Sequence, residues 1–447
     1  MILYQYSVVI HINYYILAGF MDINTTLQSG SIDIQFICDK NDGIYNEKIR
    51  MSRNQFTVEL PNVNSLDDIH PDHLALAIIL VANPFVGSEL NLPFAVSEEF
   101  YAATKTITKY KVTAPNFESS TYEAHEQSVP GLAFSGGADS TAALLLMPKD
   151  TVAVFLDRPF KAKTSLYNKT AAYATLDHAR ALGYDAKKIN CNLEYIRSPL
   201  GFPSDLAPAV PLILLASELN IDSIAFGTVL ESAFRVGHED ARNYSQSGHY
   251  RVWGGLFKAA GIPLFLPVAG ISEVGTSTIV QASSFRDYTR SCIRGVWPDS
   301  CENCWKCFRK NLVEHRILDK SFSDVKLRRW LQVKEVKSKL KAWPISHENV
   351  LSWSLQGKNS SGELVGKLLS RLEGSIREMD FLENWYSMSI ELIPDKYKSD
   401  TAERIGEYLG TMLESDAGQV TSHSMSEWLK SQEAIIARDS FATKLMN

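Results

Sequence analysis

Residues 131–141 read Gly131-Leu132-Ala133-Phe134-Ser135-Gly136-Gly137-Ala138-Asp139-Ser140-Thr141. The apolar run 132–134 leads into Ser-Gly-Gly, and an Ala- and Leu-rich run follows over 141–147. This order predicts a strand, a glycine turn and a helix. Paired glycines let backbone N–H groups close around an anion without Cβ interference. A helix N-terminus adds a favourable partial positive charge. Ser135, Ser140 and Thr141 add hydroxyl groups. The loop lacks Gly-Lys-Ser/Thr, so it is not a Walker P-loop. Without a ligand it would be a strand-to-helix turn with Asp139 as the helix cap.

On either side of this stretch, strand and helix patterns alternate. Residues 151–156 predict a second strand, 165–182 a helix with Leu166, Tyr173 and Leu176 on one stripe, and 186–191 a third strand. A helix over 204–219, a strand over 223–226, a helix over 253–260 and a strand over 263–268 continue the series. The alternation argues for an α/β fold with a doubly wound parallel sheet. Ligands in that fold sit at the C-terminal ends of strands. Residues 135–140, Asp157-Arg158 and Gly227-Thr228 all fall there.

Three regions are expected. Residues 1–125 form a β-rich N-terminal domain, because 31–36 and 55–60 alternate apolar and polar residues with period two. His70-Pro71-Asp72 caps an apolar helix over 74–81. Residues 126–310 carry the parallel sheet. Residues 311–447 are charged and helical in period, and Trp330, Trp343, Trp353, Trp385 and Trp428 read there as core.

The chain has 447 residues, 45% of them hydrophobic, which suits a globular protein of two or three domains. A net charge of −6 and the lack of a basic arm argue against nucleic-acid binding. Residues 1–20 are apolar but interrupted by Gln5, His11 and Asn13. They have no basic leader and no small-residue cleavage site, which argues against a signal peptide or a membrane span. They read as an extension before a start at Met21, or as a first strand. A cytoplasmic protein is expected. Its oligomeric state is not legible.

Cys292, Cys301, Cys304 and Cys307 follow C-x8-C-x2-C-x2-C. Four thiolates so spaced match a closed, structural zinc site, although an iron–sulfur cluster has similar needs. Cys38 and Cys191 stand alone and read as packing residues.

Ser-Gly-Gly-x-Asp-Ser resembles the PP-loop of the ATP pyrophosphatases, which cleave ATP to AMP and pyrophosphate. Together with the cysteine spacing, the core is similar to that of the cyano-deazaguanine synthases. That likeness weakens at 230–239, where the family's substrate element is missing. A longer stretch resembles the UDP-N-acetylmuramoyl-L-alanyl-L-glutamate epimerases. It is carried by His70-Pro71-Asp72, 134–141, Leu156-Asp157-Arg158, Gly201-Phe202-Pro203-Ser204-Asp205, Ala225-Phe226-Gly227, Glu231-Ser232-Ala233, Gly237-His238-Glu239 and Cys304-Trp305-Lys306-Cys307-Phe308-Arg309-Lys310.

The resemblance implies ATP- and magnesium-dependent inversion of a terminal L-glutamate to D-glutamate on a UDP-linked muramoyl dipeptide, in peptidoglycan synthesis. Adenylation removes the carboxylate charge and acidifies the α-carbon. Ser135, Gly136, Gly137, Ser140 and Thr141 would hold pyrophosphate. Asp139 would bind magnesium or cap the helix, Asp157 would meet the ribose or metal, and Gly227 would admit AMP. Glu231, His238 and Glu239 are the acid–base candidates. Arg235, Arg242 and Arg251 are candidates for the diphosphate and the glutamate side chain. The competing readings are an amide- or nitrile-forming ligase on a deazaguanine-like carboxylate, and a nucleobase-conjugating or RNA-modifying enzyme.

Overall fold

The computed structural model describes residues 20–117, 120–159 and 167–446. The expected extension or first strand over 1–19 lies outside the described residues, as does Leu166.

The first sheet has five strands: β1 (Met21–Gln28), β2 (Ser31–Ile37), β3 (Gln55–Glu59), β4 (Glu89–Asn91) and β5 (Lys111–Thr113), in the order β3-β2-β1-β4-β5. β1, β2 and β3 pair antiparallel, while β4 and β5 join parallel. The period-two pattern of β2 buries Ile32, Ile34 and Phe36 on one face. Helix α1 (Pro71–Ala82) joins the same apolar cluster and packs against the 207–214 segment, and nearly every side chain in it is buried. His70 caps α1 by accepting the Asp72 N–H on Nδ1 (3.2 Å), and Pro71 occupies the first turn.

The second sheet comprises β6 (Val129–Ala133), β7 (Val152–Asp157), β8 (Asp185–Asn190), β9 (Ile221–Ala225) and β10 (Leu264–Phe265). Its order is β8-β7-β6-β9-β10, and every neighbouring pair is parallel. This is the doubly wound arrangement expected from the alternation. Strand order reverses between β6 and β9, so the loops after these two strands diverge and leave a crevice at their C-terminal ends. Helix α2 (Ala138–Leu146) follows β6, and α3 (Thr170–Ala181) follows β7. Helix α4 (Gly248–Ala259) precedes β10.

Several elements differ from expectation. The helix expected over 204–219 is broken into a 3-10 turn, Ala207–Ala209, and a short helix, Val210–Leu214. Pro208 and Pro211 withdraw two N–H donors and crowd the preceding turns. β10 is two residues long, because Pro267 and Gly270 lie just beyond it and the chain turns at once. α4 begins five residues earlier than expected, where Ser247 caps it by accepting the Tyr250 N–H (3.2 Å). Cys191 is buried as expected, but Cys38 is exposed, since it follows the last residue of β2.

One apolar cluster runs from β1 through α1 and the 206–216 segment to β9 and α4. The core is therefore continuous across the expected boundary at residue 125. The C-terminal region is helical, including α5 (Glu273–Ala282), α6 (Trp305–Ile317) and α7 (Glu348–Leu355). Trp330, Trp353 and Trp385 are buried in it, and Trp343 stacks on Trp428. Tyr397 stacks on Phe265 at the edge of the second sheet, and its hydroxyl donates to Asp222. Among the described residues, no helix is long and apolar enough to cross a membrane.

Candidate active site and metal centre

The loop after β6 turns sharply at Gly136, whose φ of +71° is left-handed. A Cβ there would lie 2.9 Å from Ala172 Cα on α3, so glycine is required twice over. Ser140 Oγ accepts the Ser135 N–H (3.2 Å) and lies 3.0 Å from Ser135 Oγ. Gly137 N–H donates weakly to Ser135 Oγ (3.4 Å), and Ala138 N–H donates to Ser291 Oγ (3.2 Å). The loop thus folds as a ring of N–H and hydroxyl groups at the start of α2. Thr141 is fully buried and approaches Thr289 Oγ1 (3.5 Å).

Asp139 does not cap α2. Gly137 is the cap residue and makes no side-chain bond, because Asp139 already lies inside the first turn. Its carboxylate instead accepts from Thr276 Oγ1 (2.9 Å) and pairs with Lys310 Nζ (3.4 Å). Lys310 also pairs with Glu273 (3.3 Å) and donates to Ser277 Oγ (3.2 Å). Arg309 meets Glu273 from the other side (3.1 Å). Burial pushes the Glu273 carboxyl up, but Lys310 and then Arg309 outweigh it and hold Glu273 well below the usual carboxylate range.

Glu231 completes this cluster. It sits in the short helical turn Leu230–Ala233 after β9 and is 2% exposed. One carboxylate oxygen accepts the Glu273 N–H (3.0 Å) and the other accepts from Asn349 Nδ2 (2.9 Å). Burial first, and then the Glu273 charge, push its carboxyl up to about 7. Two neighbouring carboxyl groups are thereby driven apart, the pattern that separates a proton carrier from a fixed anion. Asn349 is fully buried on α7, and its Oδ1 has no hydrogen-bond partner. A Cβ on Gly237 would lie 2.0 Å from that oxygen, so glycine at 237 is what lets Asn349 reach Glu231. Arg309 Nε and His347 Nδ1 are also buried and unpartnered in the same cluster. Burial and then the Arg309 charge lower His347 to about 4.

Other expected residues are placed differently. Asp157 is buried at the end of β7, where it pairs with Lys169 and accepts from Tyr173 (2.7 Å). Gly227 follows β9, and a Cβ there would lie 2.6 Å from Ser140 N and 2.8 Å from Asp139 C. The close approach that demands glycine is therefore to the α2 backbone. His238 is half-buried and lines a small cavity with Arg235, Arg377 and His423. Burial, then Arg235 and Arg242, lower its proton affinity. Glu239 is exposed and turned to the C-terminal segment, where it accepts from Ser426 Oγ (3.4 Å). Arg242 is occupied with the Ala233 and Ser232 carbonyls (2.8 and 3.1 Å), so it fixes the turn that carries Glu231. Arg235 and Arg251 are exposed.

The four thiols of Cys292, Cys301, Cys304 and Cys307 lie within 4.8 Å of one another. Sulfurs about a tetrahedral zinc with Zn–S of about 2.3 Å stand about 3.8 Å apart. Cys301 and Cys307 Sγ are 3.7 Å apart. Backbone N–H groups of Arg294, Cys301, Asn303 and Cys307 point at sulfurs of the set (3.3–3.5 Å), as suits thiolates. The donor set fits a structural zinc with no open position. Glu335 ties the segment down by accepting from Arg294 (2.7 Å) and from Trp305 N–H (3.3 Å).

A cleft of about 550 Å³ joins the two features, lined by Ala138, Ser291, Cys292, Cys307 and Lys310 among others. Sequence reasoning missed Glu273, Asn349 and His347 altogether. Arg309 and Lys310 stood within the Cys304–Lys310 segment without a role. Glu273 carried one signal, the Ser272-Glu273 helix start.

A family of unknown function, DUF6395, matches residues 252–424. That span holds Glu273, the four cysteines, Arg309, Lys310 and Asn349, and begins after the 135–141 loop. No curated protein and no solved structure matches the chain.

Proposed function

We propose that this chain is an ATP-dependent epimerase that adenylates the terminal L-Glu of UDP-N-acetylmuramoyl-L-Ala-L-Glu and inverts it to D-Glu, releasing AMP and pyrophosphate. The observation that carries the reading is the junction of the 135–141 loop with a buried carboxyl pair. Asp139, Lys310, Glu273 and Glu231 run in one line of contacts from the loop to a carboxyl near neutrality. A carboxyl near neutrality beside a nucleotide loop suits proton transfer at working pH.

The residues divide the work. Backbone N–H groups and hydroxyls of 135–141 bind the polyphosphate. Asp139 is the carboxylate that fits magnesium, which would neutralise charge on the leaving pyrophosphate. Lys310 pairs with both Asp139 and Glu273 and keeps Glu273 ionised. Adenylation of the substrate carboxylate removes its charge, so the α-proton becomes transferable. Glu231 and His238 form the proton-transfer pair, with Asn349 and the Glu273 N–H orienting Glu231. Water then releases AMP.

The test is incubation in D₂O with the dipeptide substrate, ATP and magnesium, followed by chiral analysis of the glutamate. Deuterium should enter the α-carbon only when ATP and magnesium are present. A ligase would consume the same ATP yet leave that carbon protiated and joined to an amine. ADP as the main nucleotide product would exclude pyrophosphate cleavage.

A further inference from the structure

The metal centre and the 135–141 loop share one short segment. Thr175 Oγ1 lies within hydrogen-bond reach of the Tyr288 and Gly136 carbonyls (3.1 and 3.3 Å) and of its own helix's Ala171 carbonyl (3.0 Å), with one proton for the three. Thr289 Oγ1 reaches Thr141 Oγ1 (3.5 Å). Ser291 Oγ accepts the N–H of Ala138, the first residue of α2 (3.2 Å). The next residue, Cys292, is the first thiol of the cluster. Beyond it, Ile293 carbonyl accepts from Asn168 N–H (2.7 Å), two residues before α3 begins.

We infer that Ser291 is an anion-binding donor of the 135–141 loop and that the metal centre sets its position, so that pyrophosphate affinity and metal occupancy are coupled. The inference rests on the reading of this loop as a polyphosphate site. Three observations support it. The Ala138 N–H is a donor that an anion oxygen would take at a helix start, and a serine oxygen stands there instead. Ser291 spends only its oxygen on that bond, which leaves its proton for a phosphate oxygen. The cleft reaches both ends of the device, since Ala138, Ser291, Cys292, Cys307 and Lys310 line it together.

The physical reason for coupling is the covalent neighbour. With a metal bound, Cys292 is tied to three other thiolates, and Ser291 inherits that placement. Without it, the Cys292 sulfur itself meets the loop through weak N–H···S bonds of 3.3–3.5 Å. Binding linkage is reciprocal, so pyrophosphate must tighten the metal by the factor by which the metal tightens pyrophosphate.

The experiment uses the full chain with cobalt(II) in the cysteine site, whose thiolate absorption reports the geometry at Cys292. Inorganic pyrophosphate is titrated while the bands and the binding heat are followed. In the wild-type chain the bands should shift and saturate together with binding. Ser291→Ala should keep the cobalt spectrum, bind pyrophosphate about tenfold more weakly, as expected for one hydrogen bond to a charged group, and lose the band shift. Metal-free chain should bind pyrophosphate at least about fivefold more weakly. If the metal-free chain unfolds, the Ser291→Ala arm on loaded protein decides the matter. Unmoved bands at saturating pyrophosphate, with Ser291→Ala binding like the wild type, would overturn the coupling while leaving the loop as a phosphate site. Absence of any pyrophosphate binding to loaded wild-type chain would overturn the loop's reading itself, and the coupling with it.

Discussion

The two five-stranded sheets of this molecule share one apolar cluster but handle their polar groups in different ways. In the first sheet β2 runs against the other four strands, so its end lies on the opposite edge from theirs. Its buried Asp72 is spent locally, accepting the Ser97 N–H (2.8 Å) at the start of the next helix. In the second sheet all five strands point one way, and strand order reverses beside β6. The loops after β6 and β9, with the start of α5, border one crevice. Asp139, Glu231 and Glu273 meet there. The difference teaches that topology, more than composition, decides where ionisable groups accumulate.

The largest effect that this contrast predicts falls on Asp139. Asp139→Ala should lower turnover by about two orders of magnitude or more, through lost electrostatic organisation around the polyphosphate. Pyrophosphate release under saturating substrate is the measurement. Wild-type turnover in that variant would erase the distinction between the two sheets.

Glu231→Gln comes next. Proton exchange at the substrate α-carbon should fall by about a hundredfold, while pyrophosphate exchange into ATP persists. The same variant has a stability signature. The folded-state carboxyl is raised to about 7, so the folded chain holds a proton that the unfolded chain releases near pH 4.3. Its contribution is present in full below that lower value and is lost as pH rises through 7. Of a total of about 4 kcal/mol, about 2.5 kcal/mol is lost between pH 5 and pH 8. Glu231→Gln should flatten this decline, read from denaturant midpoints between pH 5 and pH 8 as about that difference in stability. An unchanged decline would show that Glu231 titrates normally.

The fold was legible because its signals are local. Period-two alternation marked β2 and β3, and Ser135-Gly136-Gly137 marked the turn into α2. The thiol cluster was legible because its ligands lie within sixteen residues. The charge cluster was only half legible. Glu231 could be singled out, but its partners come from α5, α6 and α7, more than forty residues downstream. Asn349 carries no motif, and its reach to Glu231 depends on Gly237 lacking a Cβ. The helix expected over 204–219 failed for a local reason that was visible, since Pro208 and Pro211 stand inside it.

Gly227→Ala sharpens the comparison at the switch point itself. The added Cβ would fall 2.6–2.8 Å from backbone atoms of Asp139 and Ser140, which cannot swing aside. The end of β9 must part from α2, at a cost of about 1–3 kcal/mol. Activity should fall with stability, because the same displacement moves the 135–141 loop. A variant that unfolds earlier in denaturant yet keeps full turnover would separate the strand contact from the loop.

The smallest effect is expected in the first sheet, at Asp72. The side chain is fully buried; Oδ1 accepts the Ser97 N–H, and Oδ2 has no hydrogen-bond partner. Burial is the main cause of its raised pKa. A raised carboxyl favours folding at low pH and loses that advantage as pH climbs through its folded-state value. Asp72→Asn keeps the acceptor for Ser97 and removes the buried charge. The variant should therefore match or exceed wild-type stability at pH 7, and the gain should vanish at pH 3, where Asp72 is itself neutral. Turnover should be unchanged, because among the described residues the polar partners of Asp72 are Ser97 and His70, away from the crevice. Glu231→Gln and Asp72→Asn are the same chemical change, a buried carboxyl made an amide, in two differently wired sheets. If Asp72→Asn slowed proton exchange as Glu231→Gln does, the contrast between a sheet that carries chemistry and one that carries structure would fail.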